Sequence, residues 1–512
     1  MLGTDRLGRG AAVKSRRSEQ LRARTAEADE VIKSVCPYCA VGCAQNVYVQ
    51  DGKVTQIEGD PDAPHSRGRL CPKGAATLQL TTGDAREHGV LYRRPGGSDW
   101  EELDLETAMD MVAERVLEAR AESFEWDADG HRVRRALGLA SLGGATLDNE
   151  ENYLIKKLFT SLGVAQIENQ ARVCHSSTVV GLGTSFGRGG STTFPGDLQH
   201  SDCIVIEGSN MAEAHPVAYQ WVTEAKERGA TVIHVDPRFS RTSALADLFV
   251  PIRAGTDIAF LGGVINHVLQ KERYFRDYVV AYTNAATIVR EDFQDTEDLD
   301  GLFSGFDPET GSYDVTSWQY EGVDVTAASG RRARQERKDT EGAHRKSHDS
   351  WGATTRGGEP ERDETLRHPR CVFQILKRHY ARYTPEMVEQ VCGIKPQLFA
   401  RVCEEMCANS TPDRTTSFVY AVGWTQHTTG SQNIRAASVL QLLLGNIGRP
   451  GGGIEAMRGH ASIQGSSDIP TLFDLLPGYL PMPQATLTAV CRSTSIPTRR
   501  TRAGGTTCPP TW

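Results

Sequence analysis

Four cysteines near the N-terminus are spaced like the ligands of a metal centre. Cys36, Cys39, Cys43 and Cys71 follow the pattern C-x2-C-x3-C-x27-C. Four thiolates bind either a tetrahedral zinc ion or an iron–sulfur cluster. Zinc ribbons use two similar C-x2-C pairs, whereas here three cysteines lie within eight residues and the fourth comes later. This asymmetry favours a [4Fe-4S] cluster, with zinc and unligated thiols as the alternatives.

A second reactive pair is formed by Cys174 and His175, which are adjacent in the run Ala-Arg-Val-Cys-His-Ser-Ser. The glycine-rich residues 178–190 that follow indicate the start of a helix. A thiol at a helix N-terminus is biased toward the thiolate, the form that binds metals or attacks carbon. The alternative is a small buried thiol beside a capping histidine.

A third candidate is Arg458, which is followed by His460 and Gln464 and lies between glycine-rich turns. A guanidinium in such a place can bind a carboxylate through two parallel hydrogen bonds. The alternative is an ordinary surface loop.

The elements that must position these residues are clearest between residues 200 and 300. Apolar strands are predicted at 203–207, 231–235 and 248–252, and helices at 214–228 and 257–269. This alternation predicts a parallel, doubly wound α/β sheet. In such sheets, ligands bind at the carboxyl ends of the strands.

Glycine and polar residues follow those three strands: Gly208 and Asn210, Asp236 and Arg238, and Gly255 and Asp257. Glycine lets a phosphate approach the backbone, and acidic residues can bind ribose hydroxyls or a base edge. Each loop taken alone is equally well an ordinary turn with a helix cap. Three such loops on consecutive strands favour a nucleotide. No G-x-G-x-x-G follows the first strand, so a simple NAD site is unsupported.

Periodicity also divides the rest of the chain. A hairpin around Asp51-Gly52 predicts a small β-rich module around the four cysteines. Helices are predicted at 103–121 and 148–162, and a buried strand at 137–142 is expected to pair with one at 417–421. The predicted domains are a basic arm (1–33), the iron–sulfur module (34–95), a discontinuous α/β domain (96–200 with 372–484), a Rossmann-like α/β domain (201–300), a polar insertion (301–371) and an irregular tail (485–512).

Composition narrows the class of protein. The 512 residues carry a net charge of −8 without a long basic run, so no nucleic-acid partner is expected. No apolar stretch is long enough to span a membrane. Outside the metal site the cysteines are scattered, which does not suit a disulfide framework and favours a reducing, cytoplasmic compartment.

Together these motifs resemble a known family. The cysteine pattern ending in C-P-K-G, then A-R-V-C-H, V-D-P-R-F-S-R-T, G-N-I-G-R-P-G-G-G and M-R-G-H, is similar to the catalytic subunit of molybdenum- or tungsten-dependent formate dehydrogenases. These enzymes are molybdopterin oxidoreductases. The similarity runs from about residue 34 to about residue 480.

The resemblance implies a [4Fe-4S] cluster and a molybdenum or tungsten bis(molybdopterin guanine dinucleotide) centre. Cys174 then stands at the metal-ligand position with His175 beside it. Lys73 stands between cluster and pterin, and Arg458 orients formate. The strand-end residues, with His460 and Gln464, would bind the cofactor. Electrons would leave to an iron–sulfur electron-transfer subunit, and then to a membrane quinone-reducing or an NAD-reducing subunit, which would place a cytoplasmic chain at the periphery of the inner membrane.

Two alternatives stay open, a nitrate reductase-like member of the same superfamily and a non-catalytic iron–sulfur fragment. His175 favours formate, because the related nitrate reductases lack it, whereas Ser176-Ser177 departs from the Gly-Pro usual after that histidine. Family members continue into a C-terminal β-barrel domain that holds the second pterin, but here the pattern stops near Pro483. The expectation is a truncated or frameshifted C-terminus without the barrel, and a chain that is inactive alone.

Overall fold

The computed structural model describes residues 20–323, 359–469, 471–477 and 480–482. The chain forms two compact units that divide after Val112. Three predicted regions fall wholly or partly outside the described residues: 1–19 of the basic arm, 324–358 of the polar insertion, and the tail 485–512.

The first unit is built on an antiparallel sheet in the order β1-β2-β3. Its strands are β1 (Glu30–Val35), β2 (Ala44–Gln50) and β3 (Lys53–Gly59). Asp51 and Gly52 join β2 to β3 with φ of 50° and 71°, as a two-residue hairpin of type I′ requires. The predicted hairpin is confirmed, whereas β1 begins inside the region predicted as an irregular arm. The short elements that follow are α1 (Pro72–Ala75), α2 (Thr77–Thr82), β4 (Val90–Tyr92) and β5 (Glu101–Leu103).

A long helix and a second small sheet come next in the chain: α3 (Leu105–Ser123), β6 (Phe124–Ala128), β7 (His131–Gly143), α4 (Asn149–Ser161) and β8 (Val164–Asn169). Asp104 caps α3 by accepting a hydrogen bond from the Thr107 backbone N–H at 2.9 Å. β7 is antiparallel to β6 and parallel to β8. The predicted strand 137–142 is therefore present but longer. It is not buried, since Leu142 is 87% exposed.

From residue 170 the chain alternates helices and strands. The elements are α5 (Gln170–Phe186), β9 (Cys203–Glu207), α6 (Met211–Ala214), α7 (Tyr219–Glu227), β10 (Thr231–Asp236), α8 (Arg241–Leu245), β11 (Leu248–Pro251), α9 (Asp257–Gln270), α10 (Arg276–Tyr282), β12 (Phe306–Asp307), β13 (Ser312–Tyr313), α11 (Val372–Tyr380), α12 (Pro385–Cys392), α13 (Pro396–Ala408), β14 (Thr416–Tyr420), α14 (Val422–Thr425), α15 (Gly430–Leu443), β15 (Gly453–Ala456), α16 (Ile463–Asp468), β16 (Leu475–Leu476) and β17 (Leu480–Pro481). The helix predicted at 214–228 is wrong in part, because Pro216 has no N–H to continue it. Instead α6 ends at Ala214 and α7 begins at Tyr219.

Five parallel strands form the central sheet in the order β11-β10-β9-β14-β15. The predicted doubly wound parallel sheet is confirmed. The expected pairing of strand 137–142 with strand 417–421 is wrong, because β14 lies between β9 and β15. Every residue of β14 is buried, as in a strand covered on both faces, whereas β7 is largely exposed. Residues 416–456 therefore complete the sheet that begins at residue 203.

The strand order reverses between β9 and β14. β9, β10 and β11 follow one another toward one edge of the sheet, and β14 and β15 lie toward the other. Such a switch point opens a crevice at the carboxyl ends of the strands, where α/β proteins bind ligands. The core beside it contains the largest fully buried side chains, among them Trp424, Tyr420, Phe260, Phe399 and Phe418. None of the helices in the described part of the chain is long and apolar enough to cross a membrane.

Helix α5 carries the Cys174–His175 pair. Asn169 caps it by accepting a hydrogen bond from the Arg172 backbone N–H at 3.3 Å. The backbone leaves helical geometry at His175, where φ is −128° and ψ is 24°. The expected helix after the pair is present as the second segment, which begins beyond the break at His175, whereas the first segment, which contains Cys174, was not predicted. The missed signal is Asn169, since asparagine is among the strongest N-cap residues.

Two glycines of α5 provide a matched test of how this helix packs. A Cβ at Gly181 would lie 2.7 Å from the Ile434 side chain in α15, whereas a Cβ at Gly183 would meet nothing closer than 3.8 Å. We expect Gly181→Ala to destabilise the protein by about 1–3 kcal/mol through overpacking. Gly183→Ala should be neutral or stabilising by up to about 1 kcal/mol, because alanine favours helix. Denaturant unfolding of both variants measures the difference. Equal stabilities would contradict this packing.

Candidate active site

Loops after β9 and β14 meet at the switch point. Gly208 follows β9 with φ of 65°, and its carbonyl accepts a hydrogen bond from the Gly423 N–H at 3.0 Å. A Cβ on Gly208 would lie 3.0 Å from the Trp424 backbone nitrogen. Close approach of two backbone segments therefore accounts for this glycine, whether or not a phosphate also binds there.

The other strand-end residues form turns beside an open cleft. The Asp236 carboxylate accepts a hydrogen bond from the Arg238 backbone N–H at 2.8 Å, an Asx turn. Asn210 accepts one from the Thr242 hydroxyl at 2.8 Å. Arg238 and Arg241 line a cleft of about 410 Å³ with Phe239. Two guanidinium groups beside an aromatic ring suit a phosphate ester attached to a flat base.

The third strand end lies closer to the switch point. A Cβ at Gly255 would lie 3.6 Å from the His427 ring. Asp257 is buried and accepts a hydrogen bond from the Trp424 indole N–H at 3.2 Å. Glu207, fully buried at the end of β9, lies nearby. Burial, together with the Asp257 charge, raises the pKa of the Glu207 carboxyl well above its usual range, which favours its uncharged form.

The Cys174 thiol is buried and packs with Ala145, Ala171 and Ile463. The Gln426 side-chain amide donates to its sulfur at 3.8 Å. Burial raises the pKa of Cys174, against smaller lowering effects from Gln426 and the Arg458 charge. The protein alone therefore does not favour the thiolate of Cys174, in contrast to the prediction for a thiol at a helix N-terminus, because Cys174 lies inside the helix. A bound metal ion would stabilise the thiolate.

His175 is held from one side. Its Nδ1 hydrogen-bonds to the Thr178 hydroxyl at 3.4 Å, which in turn bonds to the Tyr420 hydroxyl at 2.9 Å. Nε2 is buried and has no hydrogen-bond partner among the described residues. Burial, and then the positive charge of Arg458, lower the pKa of His175 to about 3. The imidazole is therefore neutral at physiological pH.

Arg458 lies two residues beyond β15 and is 9% exposed. Its Nη1 donates to Gln464 at 3.0 Å, and its Nη2 to the Gly189 carbonyl at 3.4 Å. The His215 ring bonds to the Arg458 carbonyl at 2.8 Å. The Nε has no partner within the described part of the chain. The structure therefore brings Arg458 and Gln464 to the Cys174–His175 pair, as the electrostatic effect of Arg458 on both groups also shows.

His460 lies at the rim of this group. Its ring hydrogen-bonds to the Gln170 side chain at 2.9 Å, at the first residue of α5. Sequence reasoning missed Gln426, Thr178, Tyr420, His215, Glu207 and Glu455. The only available signal was the run Thr-Gln-His (425–427) shortly after a predicted strand.

Buried polar atoms without partners test whether a cofactor fits. Across the described residues, these include His175 Nε2, Arg458 Nε, Ser209 Oγ and Thr425 Oγ1. They lie on α5 and on loops after β9, β14 and β15. A polar, anionic group at the switch point would supply the missing partners, and the Cys174 sulfur offers a ligand to its metal. The residues present therefore fit a metal-bearing pterin cofactor.

The four N-terminal cysteines lie in the first unit, in turns flanking the sheet. The Cys36 N–H donates to the Cys43 carbonyl at 2.8 Å, and the Gly42 N–H to the Cys39 carbonyl at 3.1 Å. Cys71 is the N-cap of α1. These two backbone hydrogen bonds close the turns that carry Cys36, Cys39 and Cys43, and Cys71 lies at the N-terminus of α1.

Electrostatics in this group favours a cationic occupant. Burial, followed by the charges of the neighbouring sulfurs, raises the pKa of Cys43 to about 12. Burial also raises the pKa of Cys36 and Cys39, and the Lys73 ammonium opposes it at both. Such thiolates cannot all ionise together without cations, which the irons of a cluster supply. Lys73 therefore lies close to Cys36 and Cys39.

A single zinc ion is less suitable. In the described ranges, no three His, Cys, Asp or Glu side chains are placed to hold one metal ion. A tetrahedral zinc site needs four sulfurs around one point, whereas each cysteine of a [4Fe-4S] cluster binds a different iron. The arrangement fits the cluster.

Comparison with known proteins identifies the class. Residues 29–83 match the molybdopterin oxidoreductase Fe4S4 domain, and residues 92–477 match the molybdopterin oxidoreductase family. The chain belongs to the molybdopterin oxidoreductases. The predicted resemblance is confirmed, as are the predictions of a [4Fe-4S] cluster and a molybdopterin cofactor.

Among curated proteins, three similar ones are formate dehydrogenase subunits. They are formate dehydrogenase subunit alpha of Megalodesulfovibrio gigas (46% identity over 89% of this chain), formate dehydrogenase 2 subunit alpha (cytochrome c-553) of Nitratidesulfovibrio vulgaris (43% over 90%) and formate dehydrogenase-O major subunit of Escherichia coli (42% over 88%). The chain spans 42% of the length of each. Acetylene hydratase from Pelobacter acetylenicus shares the fold, with a TM-score of 0.52 and 18% identity over 81% of this chain and 43% of that one.

The cluster can be tested with a matched pair of cysteine variants. Cys39→Ser should lose most of the bound iron and the visible thiolate–iron absorption, because a serine oxygen is a poor ligand for a cluster. Cys392→Ser is the control, since the Cys392 thiol donates to the Thr256 carbonyl at 3.5 Å in the second unit and serine can keep that bond. Iron analysis after anaerobic purification measures both. A Cys39→Ser chain with a full complement of four irons would remove Cys39 from the site.

Proposed function

We propose that this chain is the catalytic part of a formate dehydrogenase, which oxidises formate to carbon dioxide at a molybdenum or tungsten bis(molybdopterin guanine dinucleotide) centre. The observation that carries the proposal is the buried Arg458 guanidinium beside Cys174 and the neutral His175. Formate is the smallest carboxylate, and a guanidinium with an unpartnered Nε suits two parallel hydrogen bonds to it. The naming of three relatives as formate dehydrogenases supports the same reaction.

Formate oxidation to carbon dioxide releases two electrons and one proton. Cys174 would hold a metal centre that accepts two electrons, and Cys36, Cys39, Cys43 and Cys71 would hold a cluster suited to one-electron transfer. Arg458 holds the carboxylate, and Gln464 and the Gly189 carbonyl keep the guanidinium plane in place. Burial of the Arg458 guanidinium limits the competition of water for its hydrogen bonds, while Gln464 itself is exposed.

His175 is the proposed proton acceptor. Its Nδ1 is engaged by Thr178, so Nε2 is the nitrogen left for substrate. If Nδ1 carries the hydrogen and donates a hydrogen bond to the Thr178 hydroxyl, Nε2 is an unprotonated base. The Thr178 hydroxyl can then donate a hydrogen bond to the Tyr420 hydroxyl. The lowered pKa makes His175 a weak base. In this proposal its contribution therefore depends more on its position beside the C–H bond of formate than on its basicity.

The remaining predicted residues have supporting roles in this proposal. We assign the phosphates and base of one guanine dinucleotide to Arg238, which lines the cleft, and to Asp236 and Asn210 beside it. Gly208, Gly255 and Asp257, at the neighbouring strand ends, would contact the same cofactor. His460 and Gln464 contact the pterin side. Lys73, close to the sulfurs of Cys36 and Cys39, would stabilise the negative charge that a cluster gains when it is reduced.

Partners follow from the chemistry. An iron–sulfur electron-transfer subunit takes electrons from the cluster, and a membrane quinone-reducing or an NAD-reducing subunit receives them next. The compartment proposed is the cytoplasm, at the periphery of the inner membrane through those subunits. Anaerobic purification followed by counts of molybdenum, tungsten and guanine nucleotide, together with formate-dependent viologen reduction, tests the whole proposal. Nitrate-dependent viologen oxidation without formate activity would overturn it.

Arg458→Lys tests the carboxylate clamp. Lysine keeps the charge but loses the planar fork. The KM for formate should rise by a factor equivalent to about 1.5–3 kcal/mol, while kcat falls less. The control is Arg115→Lys, at an arginine whose side chain is 81% exposed on α3. Viologen reduction measured over a range of formate concentrations gives both constants, and an unchanged KM in Arg458→Lys would remove this residue from substrate binding.

A further inference from the structure

The segment after Arg458 is fastened to the start of α5 by buried side chains outside the proposed chemistry. Asn169, at the junction of β8 and α5, is 2% exposed. Its side-chain oxygen caps α5. Its amide nitrogen donates to the Thr471 hydroxyl at 2.9 Å and lies 3.1 Å and 3.2 Å from the carbonyl oxygens of Thr471 and Ser466. One side chain therefore holds both the helix of Cys174 and the segment beyond Gln464.

The groups around this contact are buried and mutually bonded. We call Asn169, Ser466 and Thr471 the Asn169 clamp. The Thr471 hydroxyl donates to the Asn152 side-chain oxygen at 3.2 Å, and the Ser466 hydroxyl to the Gly144 carbonyl at 3.2 Å. Ser466 and Thr471 are fully buried. In such surroundings a lost partner leaves a desolvated polar atom, so the bonds of the clamp contribute more than exposed ones.

The clamp lies at the far end of the segment that carries the proposed substrate-binding groups. Arg458 follows the end of β15 by two residues, Gln464 lies in α16, and Ile463 between them packs on Cys174. The last bond to the sheet is donated by the Met457 N–H to the Tyr420 carbonyl at 2.8 Å. Beyond it, one backbone bond, from the Ser462 N–H to the Ala145 carbonyl at 3.0 Å, and side-chain contacts fix this segment. A displacement of α16 would move the Gln464 partner of Arg458.

We propose that Asn169 is a positioning residue, which by holding Ser466 and Thr471 keeps Arg458 and Gln464 at a fixed place relative to Cys174 and His175. The catalytic consequence of this inference rests on the proposed function, whereas the clamp itself does not. Asn169 is suited to the task because an amide has both an acceptor for the helix cap and a donor for the segment. Aspartate, serine and threonine would cap the helix equally well but could not donate in the same geometry.

Two variants break the clamp in different ways. Asn169→Asp keeps the capping oxygen of α5 but replaces the donor by an oxygen that faces three acceptors. Thr471→Val removes the hydroxyl at nearly constant volume, and Thr471→Ser restores it. The matched control is Ser467→Ala, because the Ser467 hydroxyl donates to the Ile463 carbonyl within α16 itself.

The first measurement is amide hydrogen exchange over residues 459–469 in the anaerobically purified 512-residue chain. Exchange should be roughly tenfold faster in Asn169→Asp and Thr471→Val, because losing a buried hydrogen bond favours local opening. It should stay near wild type in Thr471→Ser and Ser467→Ala. Unchanged exchange in both clamp variants would overturn the clamp, and this arm is decisive even for a chain that does not turn over.

The second measurement is formate kinetics in the active enzyme. Asn169→Asp and Thr471→Val should raise the KM for formate about tenfold with a smaller change in kcat, and Thr471→Ser should return KM to the wild-type range. Faster exchange with an unchanged KM would make the clamp structural only and overturn the positioning role. Absence of formate oxidation in a wild-type enzyme that carries metal and pterin would instead contradict the proposed function and leave the exchange result standing.

Discussion

A guanidinium withdrawn from water is the constraint on which the rest of the site depends. Arg458 is 9% exposed, and Glu455, the carboxyl with the largest effect on the pKa of Arg458, is itself buried. Burial raises the pKa of Glu455 to about 8 despite the opposing charge of Arg458, so near neutral pH much of this carboxyl is protonated. A buried positive charge without a fully ionised partner is costly unless an anion joins it. The site is thus built to favour anionic ligands, and the same charge keeps His175 neutral.

The central sheet positions the Arg458 charge at the switch point. Because all five strands are parallel, every strand end faces the same edge, and the reversal of order between β9 and β14 separates the loops there. Gly208 and Gly423 meet at that reversal. On one side lie Asn210, Asp236 and Arg238, suited to phosphates and a base. Arg458 lies on the other side, beyond β15. In the proposed function, this one architectural feature therefore serves both the dinucleotide and the substrate.

Sequence patterns were sufficient for elements whose signals are local. The hairpin at Asp51-Gly52, the capped helix after Asp148 and the strands after residue 200 depend on neighbours a few residues away, and the structure has them. The placement of strand 416–420 could not be read in this way. Its partner depends on which strands are covered on both faces, and that is a property of the assembled sheet. The break at Pro216 and the N-cap at Asn169 were readable, but a periodicity that runs through them hid both signals.

The side-chain contacts around Cys174 are the part of the site that could least be predicted from the sequence. Gln426, Tyr420 and Arg458 reach α5 from positions more than 200 residues away. No local pattern specifies such contacts, because they exist only when the sheet and its helices have packed. It follows that the geometry of this site is no more stable than the contacts that join α5 to the segment after β15. A catalytic group borne by a strand end is fixed by the sheet, whereas one borne two residues beyond it needs a second anchor. Asn169 lies where such an anchor is required, at the first residue before the helix that carries the thiol.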